Sequence, residues 1–315
     1  DAYNVAIGHS AGNQINTGIQ NTLIGGLAGD ALTTGSDNIA IGLNALGLED
    51  TGSRNVAIGK SALTNQNFDG LGYNTAVGYN AGNQVTTGIF NILIGGLAGD
   101  ALTTGNNNIA IGVNALGTED AHGRNVAIGR DALKLQDAGT DGYNTAIGYV
   151  AGANITTGTL NTIVGGQAGD ALTTGDSNVA IGYLALSAET LGDRNVAVGL
   201  GALAAQNNTS DTDVYNTAVG YNAGAAVTTG IENTLIGGLA GDALTTGSYN
   251  TAVGSRALQA EDAHGRNVAV GYSSLATLNA AADAYNVGVG FKAGEVMTTG
   301  IKNTIVGGLA GDALT

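Results

Sequence analysis

The chain has no cysteine, no proline and no tryptophan, and aromatic residues make up only 4% of it. Without cysteine there are neither disulfides nor thiolate metal sites to stabilise it, and the compartment stays open, since secreted repeat proteins often lack the residue. The apolar fraction of 43% is mostly Ala, Val, Ile and Leu, which suits a thin core of small layers and argues against a deep globular one. Cations are scarce: 10 Lys and Arg stand against 25 Asp and Glu, a formal charge of −15. Binding to a phosphate backbone rests on Lys and Arg displacing counterions, so a nucleic acid partner is excluded. The charge is also thin, at 11% of residues, so an acidic disordered tail is excluded as well. Long apolar runs are missing. The longest, Ile92 to Ala98 with two glycines, falls far short of the roughly 20 residues of a membrane span, and no membrane insertion is expected. The chain opens on neither Met nor a signal-like stretch, so it reads as an internal segment of a longer protein.

What is present is repetition. The stretch Asn74-Thr75-Ala76-Val77-Gly78-Tyr79-Asn80-Ala81 returns from one end to the other, its leading Asn falling at 4, 21, 38, 55, 74, 91, 108, 125, 144, 161, 178, 195, 216, 233, 250, 267, 286 and 303. Steps are 17 residues except every fourth, which is 19, 19, 21 and 19. Four unlike copies therefore form a super-repeat of about 70 residues (4–73, 74–143, 144–215, 216–285, and a partial 286–315). Such regularity argues for one repeat array over 1–315 and outranks any single motif.

Counting from each Asn, the fourth residue is Ile or Val and the fifth Gly in all eighteen copies, and the eighth is Ala except at Ser274. Asn-x-Ala-Ile-Gly alternates bulky and small residues with period two, which predicts a short strand. Seventeen residues with a Thr-Gly pair near the fifteenth are too few for a βαβ unit and fit one turn of a parallel β-solenoid, or β-roll. Eighteen turns stacked about 4.8 Å apart would extend on the order of 85 Å. Asn74, Val77, Gly78, Ala81, Asn91 and Ile94 are representative ladder positions. The Ile/Val column is expected to form a buried spine, each side chain contributing about 1.5–3 kcal/mol. The Asn column is expected to bond to itself and to turn backbone along the axis.

The remaining positions compensate. Copies one and two have Gly at nine and a large aliphatic at twelve (Gly12 with Ile15, Gly29 with Leu32), while copies three and four have Leu at nine (Leu46, Leu63, Leu116, Leu133) and a polar residue at twelve. The third copy pairs Glu at twelve with Arg at seventeen (Glu49 and Arg54, Glu119 and Arg124, Glu189 and Arg194, Glu261 and Arg266). An ion pair across a corner is expected there, worth about 0–1 kcal/mol if exposed. The longer fourth copy carries Asp69, Asp137, Asp141, Asp211, Asp213 and Asp283 on loops, followed by Tyr73, Tyr143, Tyr215 and Tyr285. Of these Asp137, Asp141, Asp211 and Asp213 are the candidate surface-binding residues.

Chemistry is otherwise sparse. Gly25-Gly26-Leu27-Ala28-Gly29-Asp30 lacks the Lys-Ser or Lys-Thr of a phosphate loop and recurs in every super-repeat, so it reads as a turn. His122 and His264 share the string Ala-His-Gly-Arg-Asn with no nucleophile near, and read as corner decoration. Asp211-Thr212-Asp213 is no complete calcium loop. No catalytic, cofactor or metal residues are assigned, and the segment is expected to be non-catalytic.

The words Asn-Thr-Ala-Val-Gly-Tyr-Asn-Ala (74–81), Asn-Thr-Ala-Ile-Gly-Tyr (144–149) and Asn-Val-Ala-Ile-Gly-Lys-Ser-Ala-Leu (55–63) resemble two related groups. One is the head repeat of trimeric autotransporter adhesins. The other is the repeat of phage tail-fibre proteins that end in an endosialidase-type self-cleaving chaperone, whose coil length is the nearer match. The resemblance implies a homotrimer of solenoids. Leu23, Leu93, Ile163, Leu235 and Ile305 interrupt the Ala column at position three once per super-repeat. They are candidates for interchain contact or, alternatively, fill their own coils.

These readings lead to a structural fibre or adhesin segment at a cell surface or on a virion, extracellular, trimeric, and projecting an end that binds a surface glycan or protein. Two alternatives are a self-assembling extracellular filament and an ice-binding solenoid, the latter suggested by Thr33-Thr34, Thr86-Thr87 and Thr103-Thr104.

Overall fold

A computed structural model describes residues 2–210 and 212–314. Every regular element among them is a three-residue strand, eighteen in all, and no helix occurs. The chain divides into two compact units, residues 1–160 and 161–315, each a parallel β-solenoid of nine coils. The first unit runs from Val5–Ile7 to Thr145–Ile147 and the second from Thr162–Val164 to Thr304–Val306.

Within each unit every strand pairs in parallel with the strand one coil on. Thr75, Ala76 and Val77 lie opposite Ile92, Leu93 and Ile94, and Val179, Ala180 and Ile181 opposite Val196, Ala197 and Val198. The Asn at the head of each strand fixes this register. Its side-chain oxygen accepts the backbone N–H of the next Asn, as Asn74 does from Asn91 at 2.8 Å and Asn91 from Asn108 at 2.9 Å. In the first three copies of a super-repeat its amide donates to the carbonyl at position fifteen of its own coil, as Asn91 does to Gly105 at 2.9 Å, whereas in the fourth copy the amides of Asn55 and Asn125 have no partner. The ladder is therefore mainly side chain to backbone, with only some direct amide contacts such as Asn195 to Asn178 at 3.1 Å. A wholly buried Asn with both ends satisfied holds one coil closed and seats the next upon it.

The strand faces are opposite to the expected ones. In seventeen strands the middle residue is buried while the two flanking β-branched residues are half-buried or exposed. Ile94 and Ile181 are each 37% exposed, so the Ile/Val column is an outer stripe and the Ala column faces the core. Volume is the reason. The interior opposite each strand is already filled by Leu46, Leu63 or Leu116 at position nine, or by Leu32, Val85 or Leu102 at position twelve, all wholly buried. In the coils with leucine at position nine only a methyl fits between.

The same accounting corrects the assignment of Leu23, Leu93, Ile163, Leu235 and Ile305 to interchain contact. The first four are wholly buried and Ile305 is 6% exposed, so these side chains fill their own coils. Each occupies space that glycines at position nine vacate. A Cβ on Gly82 would lie 2.6 Å from Leu93 Cδ1, and one on Gly99 2.7 Å from Leu93 Cδ2. Position nine is left-handed, with φ of 58° at Gly82 and 52° at Leu116. A leucine there carries a backbone cost of about 1–2 kcal/mol, which burial of its side chain, about 1.5–3 kcal/mol, offsets. Copy sixteen departs from the compensating pattern by burying both Leu275 and Leu278.

Position five is glycine for a second reason. Gly78 has φ of 140°, and a Cβ on it would lie 2.4 Å from the carbonyl oxygen of Gly95 in the next coil. Coils approach too closely here for any side chain.

Candidate functional site

Two surfaces repeat along the units. The first is the outer strand face, two columns of Thr, Val and Ile at positions two and four without a charged residue among them. The second is the corner where the fourth copy carries its extra residues.

At that corner the arginines do not meet the glutamates with which they recur. Glu49, Glu119, Glu189 and Glu261 are wholly buried, and the arginines turn outward. Arg124 pairs with Asp141, Arg194 with Asp213 and Arg266 with Asp283, each carboxylate coming from the following coil. The guanidinium also lies over a tyrosine ring of that coil, at 5.4 Å from Tyr143, 5.8 Å from Tyr215 and 5.6 Å from Tyr285. In the first super-repeat Arg54 lies 5.5 Å from the ring of Tyr73 and donates to its hydroxyl. Asp69 there accepts from the Thr51 hydroxyl at 2.6 Å. The outcome is a set of half-exposed Arg–Asp–Tyr clusters, one per super-repeat from the second to the fourth.

Of the candidate surface-binding carboxylates, then, Asp141 and Asp213 are engaged by arginines of their own unit and are not free anionic contacts. Asp137 is exposed and stands apart from them. Asp211 lies outside the described residues. The tyrosines remain accessible, Tyr143 at 51% and Tyr149 at 55% exposed. The first hydroxyl of several Thr-Thr pairs is also committed. Those of Thr86 and Thr103 donate to backbone carbonyls one coil on, at 3.2 Å to Thr103 and 2.8 Å to Asp120.

The buried glutamates at position twelve are what the sequence reading missed. Each takes the place of an aliphatic and turns into the coil, where turn amides receive it. Glu49 accepts from the amides of Gly52 at 2.7 Å and Phe68 at 3.3 Å. Burial pushes its carboxyl above the ordinary range, against the opposing pull of those amides. Glu189 accepts from Thr190, Leu191 and Gly192 and, through its second oxygen, from Gln206 and Asn208. In the fourth copy Gln66 links the Asn column, donating to Asn55 at 3.0 Å and accepting from Asn74 at 3.0 Å. The signal is the polar residue that stands at twelve where copies one and two carry a buried aliphatic, although Glu and Gln are mostly surface residues.

Comparison with protein-family models, with curated proteins and with solved structures returns no match.

Proposed function

We propose that this chain is a structural segment, the shaft or head of a fibre carried on a cell surface or a virion, and that it works as a parallel homotrimer. The outer strand face carries the reading. In each unit it lines up columns of half-exposed Thr, Val and Ile with no charge, on a chain whose formal charge is −15. An uncharged, β-branched face repeated coil after coil suits burial against an identical face. A closed ring of three such faces limits assembly to a finite bundle. The repeat words shared with adhesin heads and tail fibres point the same way.

The mechanism is reach. Stacking converts chain length into extent without a deep core, and repeated Arg–Asp–Tyr corners offer many weak contacts whose sum raises avidity toward a surface glycan or protein. Catalysis has no part in this reading. Light scattering on the purified chain tests it: a mass three times the 30.9 kDa of one chain is expected. A single-chain mass at micromolar concentration would overturn the trimer, and an open-ended size distribution would favour a self-assembling filament.

A further inference from the structure

The four buried glutamates at position twelve sit in equivalent corners and serve as controls for one another. In two corners both carboxylate oxygens accept hydrogen bonds, Glu49 from Gly52 and Phe68, Glu189 from six donor groups of Thr190, Leu191, Gly192, Gln206 and Asn208. The other two corners carry a histidine at position fifteen whose Nδ1 is buried without a hydrogen-bond partner, and in one of them the carboxylate too is left short. Glu119 Oε1 accepts the backbone N–H of His122 at 3.0 Å, but Oε2 is buried with no hydrogen-bond partner, and so is His122 Nδ1. The amide of Ala138 exerts a small pull on the carboxylate without closing a hydrogen bond to it. A buried carboxylate oxygen left in this state costs about 1–3 kcal/mol or more, so the corner suits a group that the carboxylate and the imidazole hold together.

The neighbours say what. His122 Nδ1 lies 3.5 Å from Glu119 Oε1, too far and too poorly aligned for a good hydrogen bond. Two ligands on a four-coordinate ion at about 2.0–2.1 Å stand about 3.3–3.4 Å apart, close to this separation. Asp120 joins them from the same turn, and Asp137 from the stacked position one coil on. Ligand-capable atoms of Glu119, Asp120, His122 and Asp137 all lie within 4.8 Å of one another. The nearby cation cannot neutralise these carboxylates, because Arg124 is taken up by Asp141. We propose that Glu119, His122 and Asp137, with Asp120 beside them, form a site for a divalent transition-metal ion of the zinc class. The imidazole in the set selects such an ion over calcium, which takes oxygen ligands. The ion ties two successive coils together at the loop-bearing corner.

A reduced version stands in the second unit. Glu261, Asp262 and His264 group in the same way, with His264 Nδ1 buried, unpartnered and 3.6 Å from Glu261 Oε1. Here the Ala280 amide already satisfies Glu261 Oε2 at 3.2 Å, and Asn279 replaces the aspartate of the next coil. This corner has one ligand fewer and binds more weakly.

Titration calorimetry of the whole chain with zinc chloride, after chelator treatment, tests the assignment. Two unequal sites per chain are expected. His122→Ala, at a half-exposed position, removes the tighter one, weakening it by at least the roughly 10–100-fold that even an outer partner of a ligand is worth. His264→Ala removes the weaker, and His9→Ala, at an exposed histidine elsewhere, changes neither. Circular dichroism identical to the parent shows that each variant is folded. Cobalt substituted at the tighter site is expected to give the intense visible bands of a four-coordinate ion. Absence of saturable zinc uptake, zinc uptake unchanged in His122→Ala, or a preference for calcium overturns the proposal.

Discussion

The backbone N–H of Asn91 donates to the side-chain oxygen of Asn74 at 2.8 Å, across a gap of one coil, and Asn91 offers its own oxygen to Asn108 at 2.9 Å. One buried amide thus serves both as latch and as seat. Asn91→Ala leaves the Asn108 N–H and the Gly105 carbonyl without their partner. A loss of about 1–3 kcal/mol for each buried group is expected, read from chemical denaturation. An exposed residue such as Thr87 serves as the control, where replacement by Ala stays within about 0.5 kcal/mol.

Leu93 and Gly82 should be coupled in a double-mutant cycle. Leu93→Ala opens a cavity and costs about 2–5 kcal/mol. Gly82→Ala places a methyl 2.6 Å from Leu93 Cδ1 at a left-handed residue, and is destabilising alone. In the double variant the methyl enters the vacated space, so the combined loss falls below the sum of the two. Strict additivity would show that Leu93 does not fill the space above Gly82.

Replacing Ile94, Ile111 and Ile128 with Lys puts three charges on the outer strand face. These positions are half-exposed and lie in register on successive strands, so within one chain each costs about 1 kcal/mol, from strand preference and repulsion between neighbouring lysines. The mass by light scattering is nevertheless expected to fall to that of a single chain, with circular dichroism retained. Persistence of the oligomer would place the interface elsewhere.

Thermal stability is expected to rise as pH falls from neutral toward the ordinary carboxyl values. Burial raises the carboxyls of Glu49, Asp100, Asp170 and Asp242 above their ordinary values. A carboxyl raised in the folded state binds its proton more tightly there than when unfolded. Its contribution is fully present below the unfolded value, near 4.5 for Glu49 and 3.8 for the aspartates. It is lost as pH rises through the folded value. Melting curves across this range check the sign, and Asp100→Asn should flatten the dependence.

Asp141→Asn is expected to change stability by no more than about 1 kcal/mol, because its pairing with Arg124 is solvent-exposed. The stacking of Arg124 on Tyr143 remains and contributes about 0.5–1 kcal/mol. Loss of surface attachment in that variant without loss of folding would assign the corner a binding role.

Much of the fold was legible in the order of residues, for a plain reason. Eighteen copies average out accidents of any one, so the strand, the parallel pairing of Val77 with Ile94, the Asn ladder and the exchange between positions nine and twelve could be read directly. The glutamates could not. Glu119 carries the same side chain whether it faces water or the core, and nothing in the string Thr-Glu-Asp-Ala-His-Gly-Arg-Asn says which. Asp137 is seventeen residues from Asp120 and looks unrelated until the winding stacks one above the other. The arginines misled for a similar reason: Arg124 is five residues from Glu119 but pairs with Asp141 on the coil that follows.

By itself the sequence determined the period, the strand positions and the closeness of coils at Gly78, because each is set by local geometry that repeats. Which strand face turns inward was decided only by the tertiary structure. An alternation of period two defines two faces without assigning either to the core. The assignment followed from the volume left inside the coil once Leu46, Leu116 and their equivalents had filled it, a quantity that residues of successive coils set together.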